Sequence, residues 1–392
     1  MKLQLFGTAI ECIGLNRATD RSVARVRVAD KSGTKHASDF ALVRTIEELE
    51  RARALDWRSF FCVGEEFSPV LRQQSGRAIA VSHQFDYLAD GDVIGIHHAS
   101  KRFRTLYRKN SRHNSFLVTE RCNNYCLMCS QPPKDADDGW ILDEIVESLP
   151  LVEPSLSYLT FTGGEPLTNW RAFVEVLAQC RDQLPNTAIQ VLTNGRAFAD
   201  SKIVDAWSAI RHPNLMAAIP VYSAVDHIHD YVVQAKGAFD ETILGILKLK
   251  DRGHRVEIRV VLHAWTAPTI ADTCRWLARN FPFVDHVALM GLENTGFALA
   301  NDALLWIDPM EYLAALADGV DVLSAAGINV SIYNLPRCVL DRSVWRFAVQ
   351  SISDWKNGYV EECDPCSERE RCSGLFTSGR PRLSRGIRAI VP

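Results

Sequence analysis

Two rhythms of apolar residues divide the 392-residue chain. Over residues 1–110 the apolar runs are short, as in SVARVRVAD, AIAVSH and GDVIGIHH, with Gly, Asp and Ser between them. Such runs bounded by turn residues predict strands. A helical period stands out near 45–55, in RTIEELERARAL. The opening MKLQLFGTAIECIGL is apolar, but Gln4 and Glu11 interrupt it and no small-residue cleavage site follows, so it reads as a strand and not as a signal peptide. From 115 to about 293 the rhythm changes. Strands are expected at FLVTE (116–120), YLTFTGG (158–164), AIQVLTNG (188–195), LMAAIPVYS (215–223), VEIRVVLH (256–263) and HVALMGL (286–292). Amphipathic stretches such as WRAFVEVLAQCRDQL and FDETILGILKLKDRG lie between them, the second ending at Gly253, a helix stop. Six strand–helix repeats imply parallel strands with right-handed crossovers. A TIM-type barrel and a doubly wound open sheet share that rhythm. A helix over about 309–326 and a strand near INVSIYN complete the pattern before a cysteine-rich end.

Composition narrows the picture. The length calls for two or three domains, and 47% hydrophobic with 23% charged residues is the make-up of a globular protein. A formal net charge of -3 leaves no electrostatic footprint for nucleic acid or an anionic membrane. The basic, aromatic stretch KRFRTLYRKNSRHN is accordingly read as a solvated linker or edge strand. No apolar run approaches a membrane span, so a cytoplasmic location is expected. Eleven cysteines are many for that compartment. Cys12, Cys62, Cys180 and Cys274 are scattered and read as small buried hydrophobes. The others cluster, which points to metal or catalysis.

The strand FLVTE runs into Cys122-x3-Cys126-x2-Cys129. Thiolates suit iron–sulfur clusters, which normally take four ligands, so three cysteines leave one iron open to a substrate or cofactor. A zinc site is the competing reading, and it needs a fourth ligand; His113, the nearest histidine, stands on the wrong side of the strand. One repeat later the second strand ends in Gly163-Gly164-Glu165-Pro166, where two glycines admit close approach to the backbone. Thr193 and Asn194 close the third strand, Ser223 the fourth, and Arg259 lies in the fifth. Strand C-terminal ends are where barrel sites collect. The last set is Cys338, Cys363, Cys366 and Cys372, four thiols able to complete a closed cluster or a structural zinc site. His229, His263 and Glu293 lie near strand ends, but no catalytic acid or base is assigned.

CxxxCxxC on the loop after a first strand, followed by GGEP, resembles the radical S-adenosylmethionine (SAM) superfamily. Members often carry an aromatic residue just after the second cysteine, a position that meets adenine largely through its backbone; here it is Leu127, with Tyr125 before the cysteine. The resemblance implies a partial (β/α)6 TIM-type barrel over 111–327, with a [4Fe–4S] cluster on Cys122, Cys126 and Cys129 that binds SAM and yields a 5'-deoxyadenosyl radical. It implies that the Gly163–Pro166 loop receives the SAM amino group, that Ser223 and Arg259 meet ribose or carboxylate, and that Thr193 and Asn194 adjoin them. Cys363-x2-Cys366-x5-Cys372 resembles the auxiliary-cluster extension of the SPASM or twitch type. Phe376 replaces the next cysteine of longer versions, so one auxiliary [4Fe–4S] cluster is expected, within 328–392.

A closer resemblance covers most of the chain. CNNYCLMCSQPP, TFTGGEPL, IPVYSAVDHIHDYVVQAKGAFD and SISDWKNGY are similar to the His-Xaa-Ser system radical SAM maturases of the C type. That implies a ribosomally made peptide with His-Xaa-Ser repeats as substrate, a companion radical SAM maturase, and a reductant such as flavodoxin or ferredoxin. The β-rich residues 1–110 are expected to be a separate domain, a candidate for docking peptide or partner. A radical SAM enzyme on a small molecule, and a non-catalytic metal scaffold or redox sensor, remain beside this reading.

Overall fold

Alternation within the first strands sorts their side chains into two cores. The computed structural model describes residues 4–15, 21–29, 36–72, 76–350, 357–376 and 382–391. Its first part holds β1 (Phe6–Thr8), β2 (Glu11–Ile13), β3 (Arg21–Val28), β4 (Asp39–Val43), β5 (Ser59–Val63), β6 (Arg77–Val81), β7 (Val93–His97) and β8 (Arg102–Tyr107). They pair in the order β1-β8-β7-β3-β4-β5-β6-β2. β4 and β5 are buried at every position, as parallel strands covered on both faces must be. Phe40, Leu42, Phe61, Val63, Ile79 and Val81 enter one cluster. Their neighbours Ala41, Val43, Phe60, Cys62, Ala78 and Ala80 enter another, beneath the helices Ile46–Ala54 and Phe67–Leu71. β1 and β2 belong to one segment, which donates from Ala9 N to Lys101 O (2.8 Å) and from Ile10 N to Ala80 O (2.7 Å). That segment joins the two ends of the sheet. The basic stretch from Lys101 is neither linker nor edge: β8 pairs with both β7 and β1. Its alternation buries Phe103 and Tyr107, and this burial outweighs its charge.

The second sheet is wholly parallel and runs in sequence order: β9 (Asn114–Leu117), β10 (Tyr158–Thr162), β11 (Ala188–Leu192), β12 (Leu215–Pro220), β13 (Arg255–Leu262), β14 (His286–Gly291) and β15 (Val330–Tyr333). The fold is thus α/β, a partial barrel behind a β-rich front. β15, the strand expected at INVSIYN, adds a seventh strand to the six repeats. Leu159, Phe161, Ile189, Val191, Ile258 and Val260 face the helices and are fully buried. The alternate positions carry polar groups into the concave side. There Glu257 Oε2 accepts from His286 Nδ1 (2.8 Å), and His286 Nε2 meets Ser331 Oγ (3.0 Å). Tyr158 donates to Gln190.

The two sheets are not independent beads. The helix Trp140–Ser148, which follows the cysteine loop, lies against the front sheet and presents Trp140 and Glu144 to it. Arg21 and Arg104 place their guanidinium carbons 3.2 and 4.9 Å from the Trp140 ring centre. Arg104 Nε also donates to Glu144 Oε2 at 2.7 Å. Val23, Val93 and Tyr107 of the front sheet belong to the core of the second one.

Glu144 is 3% exposed and Arg104 26%, so removing one partner leaves a charge stranded at a covered interface. Glu144→Ala should cost about 3 kcal/mol in denaturant unfolding. The Glu144→Ala/Arg104→Ala double variant should lose less than the sum of the single losses. Simple additivity would contradict this account.

Candidate functional site

The first cysteine loop is built by backbone contacts between adjacent strand ends. Beyond β9, Val118 N donates to Thr162 O at 2.7 Å. Gly164 N then reaches Thr119 O, and Glu165 N reaches Arg121 O, both at 2.8 Å. This approach is possible only without side chains. A Cβ on Gly163 (φ 154°) would stand 2.5 Å from Thr119 O, and one on Gly164 2.0 Å from Arg121 O. From the other side, Asp138 accepts from Thr119 Oγ1 (2.7 Å) and Glu120 N (2.6 Å). The chain entering Cys122 is therefore fixed before the first cysteine.

Glu165 turns inward. Its fully buried carboxylate accepts from Leu167 N (2.9 Å), Thr193 Oγ1 (2.7 Å) and Asn194 N (2.6 Å). Burial pushes its pKa up, and the three donors pull it back. Asn194 Nδ2 continues the chain of contacts to Asn123 Oδ1 (2.6 Å). Arg196 Nη1 donates to Asn123 O (2.9 Å) and Asn124 Oδ1 (2.6 Å). Thr193, Asn194 and Glu165 thus hold one another and the cysteine loop. Arg196 and the Asn123–Asn124 pair were missed in the sequence; the signal was two amides set between Cys122 and Cys126.

The loop's far side is held by the helix Asp226–Val233 and by the segment after β14. Tyr125 N and Leu127 N donate to Val233 O and Val232 O (3.1 and 2.9 Å). Leu127 O accepts from Asn301 Nδ2 (2.8 Å), and Cys129 O from Phe297 N (2.8 Å). Both backbone groups of Leu127 are engaged, so an adenine contact there would fall to the carbonyl's second lone pair.

All eleven cysteines are free thiols. Cys122, Cys126 and Cys129 lie near enough for the charge on one to disfavour charge on another, and burial raises all three pKa values, that of Cys122 to about 11. Cys122 Sγ accepts from Asn124 N at 3.4 Å. A cationic iron cluster would offset both penalties at once, so the donor set fits that group. Among the described residues no three His, Cys, Asp or Glu side chains are arranged to hold a metal ion. Tyr222 is buried within electrostatic reach of the three thiols and of Arg259. Arg259 Nη2 meets Met290 Sδ at 3.1 Å, Glu257 stands 3.5 Å from its Nε, and that buried nitrogen has no hydrogen-bond partner. Ser223 is buried and accepts from Val225 N (3.1 Å).

The second cysteine set lies elsewhere. Cys338, Cys363, Cys366 and Cys372 line one cavity with Arg337, Tyr359 and Ile390. Amides already point at its sulfurs: Arg337 N and Gly374 N to Cys372 Sγ, and Ile390 N to Cys366 Sγ, each at 3.4 Å. Residues 382–391 are docked against this region; Ser367 N donates to Ile390 O at 2.8 Å. Residues 351–356 of SISDWKNGY lie outside the described residues. No helix of the described residues is long and apolar enough to cross a membrane.

Two expected outcomes follow from this geometry. Gly164→Ala should fold, shown by circular dichroism, yet take up markedly less iron than the parent on anaerobic reconstitution; undiminished uptake would contradict the close approach to Arg121. The second concerns acid. His229 Nδ1 accepts from Tyr222 N and His263 Nδ1 from Trp265 N, and burial lowers each pKa from 6.5 to about 4. A lowered pKa means stability is complete above pH 6.5 and is lost as pH falls toward 4. Each histidine should cost about 2 kcal/mol at pH 5. Urea unfolding of the metal-free chain at pH 7.5 and 5 measures it. His263→Asn, whose Oδ1 can replace Nδ1, should flatten the difference by about that amount.

Residues 116–277 match the model of the Radical SAM superfamily. No curated protein matches the sequence. Among solved structures, SuiB of Streptococcus suis bound to S-adenosylmethionine is similar at 13% identity and a TM-score of 0.45, over 56% of this chain and 49% of SuiB. This chain thus spans about half of SuiB's length. A radical SAM methyltransferase from Sphaerobacter thermophilus is 17% identical with a TM-score of 0.45, over 62% of this chain and 72% of that one. A domain of pyruvate-formate lyase-activating enzyme from Bacteroides vulgatus is 17% identical over 45% of this chain and 98% of that one, at a TM-score of 0.35. By the family model alone, the stretch that bears the cysteine loop, the GGEP turn and the strands around them is similar to the radical SAM superfamily domain, whose family uses a [4Fe–4S] cluster and SAM.

Proposed function

We propose that this protein is a radical SAM maturase that modifies a ribosomally made peptide. The observation that carries the radical SAM part is the cysteine loop of 122–129, gripped by the GGEP turn at the C-terminal end of a parallel sheet. In this reading Cys122, Cys126 and Cys129 hold a cluster whose fourth iron position takes SAM. The loaded group supplies a 5'-deoxyadenosyl radical able to abstract hydrogen. The protein's part is to hold the ligands still. Glu165, Thr193, Asn194 and Arg196 fix the loop, backbone groups of the Gly163–Pro166 turn receive the SAM amino group, and Ser223 and Arg259 serve ribose and carboxylate. A carboxylate would supply the hydrogen bond that Nε of Arg259 lacks beside its 3.5 Å ion pair with Glu257.

Cys338, Cys363, Cys366 and Cys372 hold an auxiliary [4Fe–4S] cluster in this proposal. Their shared cavity and the amides aimed at their sulfurs support it. Such a fully ligated cluster would supply electron relay, and the residues around it a wall for the peptide. The His-Xaa-Ser repeat substrate, the companion maturase, the flavodoxin or ferredoxin donor and the cytoplasmic setting rest on the sequence resemblance. Docking of peptide or partner on residues 1–110 is part of the same proposal.

The test is anaerobic reconstitution with iron and sulfide counts, followed by assay of 5'-deoxyadenosine after reduction and of peptide mass after co-expression. Cys122→Ala, Cys126→Ala or Cys129→Ala should abolish 5'-deoxyadenosine. Cys363→Ala should keep some uncoupled SAM cleavage while losing peptide product. Zinc in place of iron, with SAM left intact, would end the radical reading; SAM cleavage with an unchanged peptide mass would move the substrate to another class.

A further inference from the structure

Beyond the C-terminal ends of β13, β14 and β15 lies a cavity of about 670 Å³, its open mouth included, between the sheet and the cysteine-bearing extension. Its walls are largely apolar and aromatic, from Leu262, Leu292, Trp306, Leu335 and Phe376. Asn294 lines it too, at 7% exposure. Asn294 Nδ2 donates to Asp302 Oδ1 at 3.2 Å, and that carboxylate fixes which end of the amide is the NH2 group. The other end, Oδ1, is buried without a hydrogen-bond partner. Asp302 and Arg382 form an ion pair at 2.8 Å, and the guanidinium lies 5.3 Å from the Trp306 ring centre. The charges beside the cavity are thus matched. Among its described lining residues, the unmet demand is a donor for Asn294 Oδ1.

The cavity stands between the two cysteine sets. The segment that begins at Asn294 continues to Phe297 and Asn301, which bond Cys129 O and Leu127 O. On the other side Gly374 and Leu375 line both this cavity and the one holding Cys338, Cys363, Cys366 and Cys372.

We propose that the cavity receives a neutral aromatic side chain of the substrate bearing a ring N–H or O–H, and that this donor meets Asn294 Oδ1. An aliphatic or phenyl group would fill the walls but leave a buried acceptor unpaired, and an ammonium would be buried with no free carboxylate. Sites that hydrogen-bond a ligand N–H or O–H reject analogues lacking it far more strongly than sites reading shape alone. The inference rests on the peptide-maturase reading only for the word substrate.

Isothermal titration of the anaerobically reconstituted full chain with indole and with 1-methylindole tests it. Indole should bind at least about tenfold more tightly, since only it offers the donor. The gap should shrink to within about twofold in Asn294→Leu. Equal affinities in the parent chain would overturn the proposal. If Asn294→Leu does not fold, Leu292→Trp, which fills the cavity, should abolish indole binding; retained binding would place the ligand elsewhere and overturn it equally. SAM cleavage is read on the same preparation. Loss of cleavage with the indole preference intact would sink the maturase reading and leave the site standing, and cleavage without the preference would do the reverse.

Discussion

Everything at the candidate site depends on two backbones lying against each other without side chains between them. The turn at Gly163 and Gly164 meets the chain at Thr119–Arg121 through amide-to-carbonyl bonds of 2.8 Å, a separation that a single methyl group would forbid. Glu165, next in line, spends its carboxylate inside the protein on three donors from its own turn and from the end of β11. Three consecutive strand ends are thus tied to one cysteine loop. The loop inherits the rigidity of the sheet rather than the freedom of a surface connection.

Much of this architecture was legible in the residues. Parallel strands covered on both faces carry continuous apolar runs, so the repeats from 115 onward were visible, as were the cysteine spacing and the GGEP turn. What escaped was of another kind. Arg196, Asn123 and Asn124 work through long-range contacts across 72 residues or so, which no local pattern encodes. The stretch KRFRTLYRKNSRHN misled because its charge is conspicuous, whereas the alternation burying Phe103 and Tyr107 decides where a strand lies. Asn294 carried no signal at all, since an asparagine after a strand is an ordinary turn residue until its partners are known.

The concave side of the second sheet shows how polar residues are accommodated in a barrel of this kind. Glu257, His286 and Ser331 come from three adjacent strands and satisfy one another. Arg259 stands one step further along its strand, with a thioether 3.1 Å from its Nη2 and the Glu257 carboxylate 3.5 Å from its Nε.

The cavity of the last four cysteines gathers stretches that are remote along the chain: the turn at Arg337–Val339, the segment from Cys363 to Cys372, and the amides near Ile390. A group bound to all four sulfurs would therefore work as a cross-link. It would close loops of about 25, 3 and 6 residues in the unfolded chain, and the entropy removed there would favour the folded extension. Metal capture and the ordering of this end of the molecule would then be one event, with the folded extension contingent on its inorganic content.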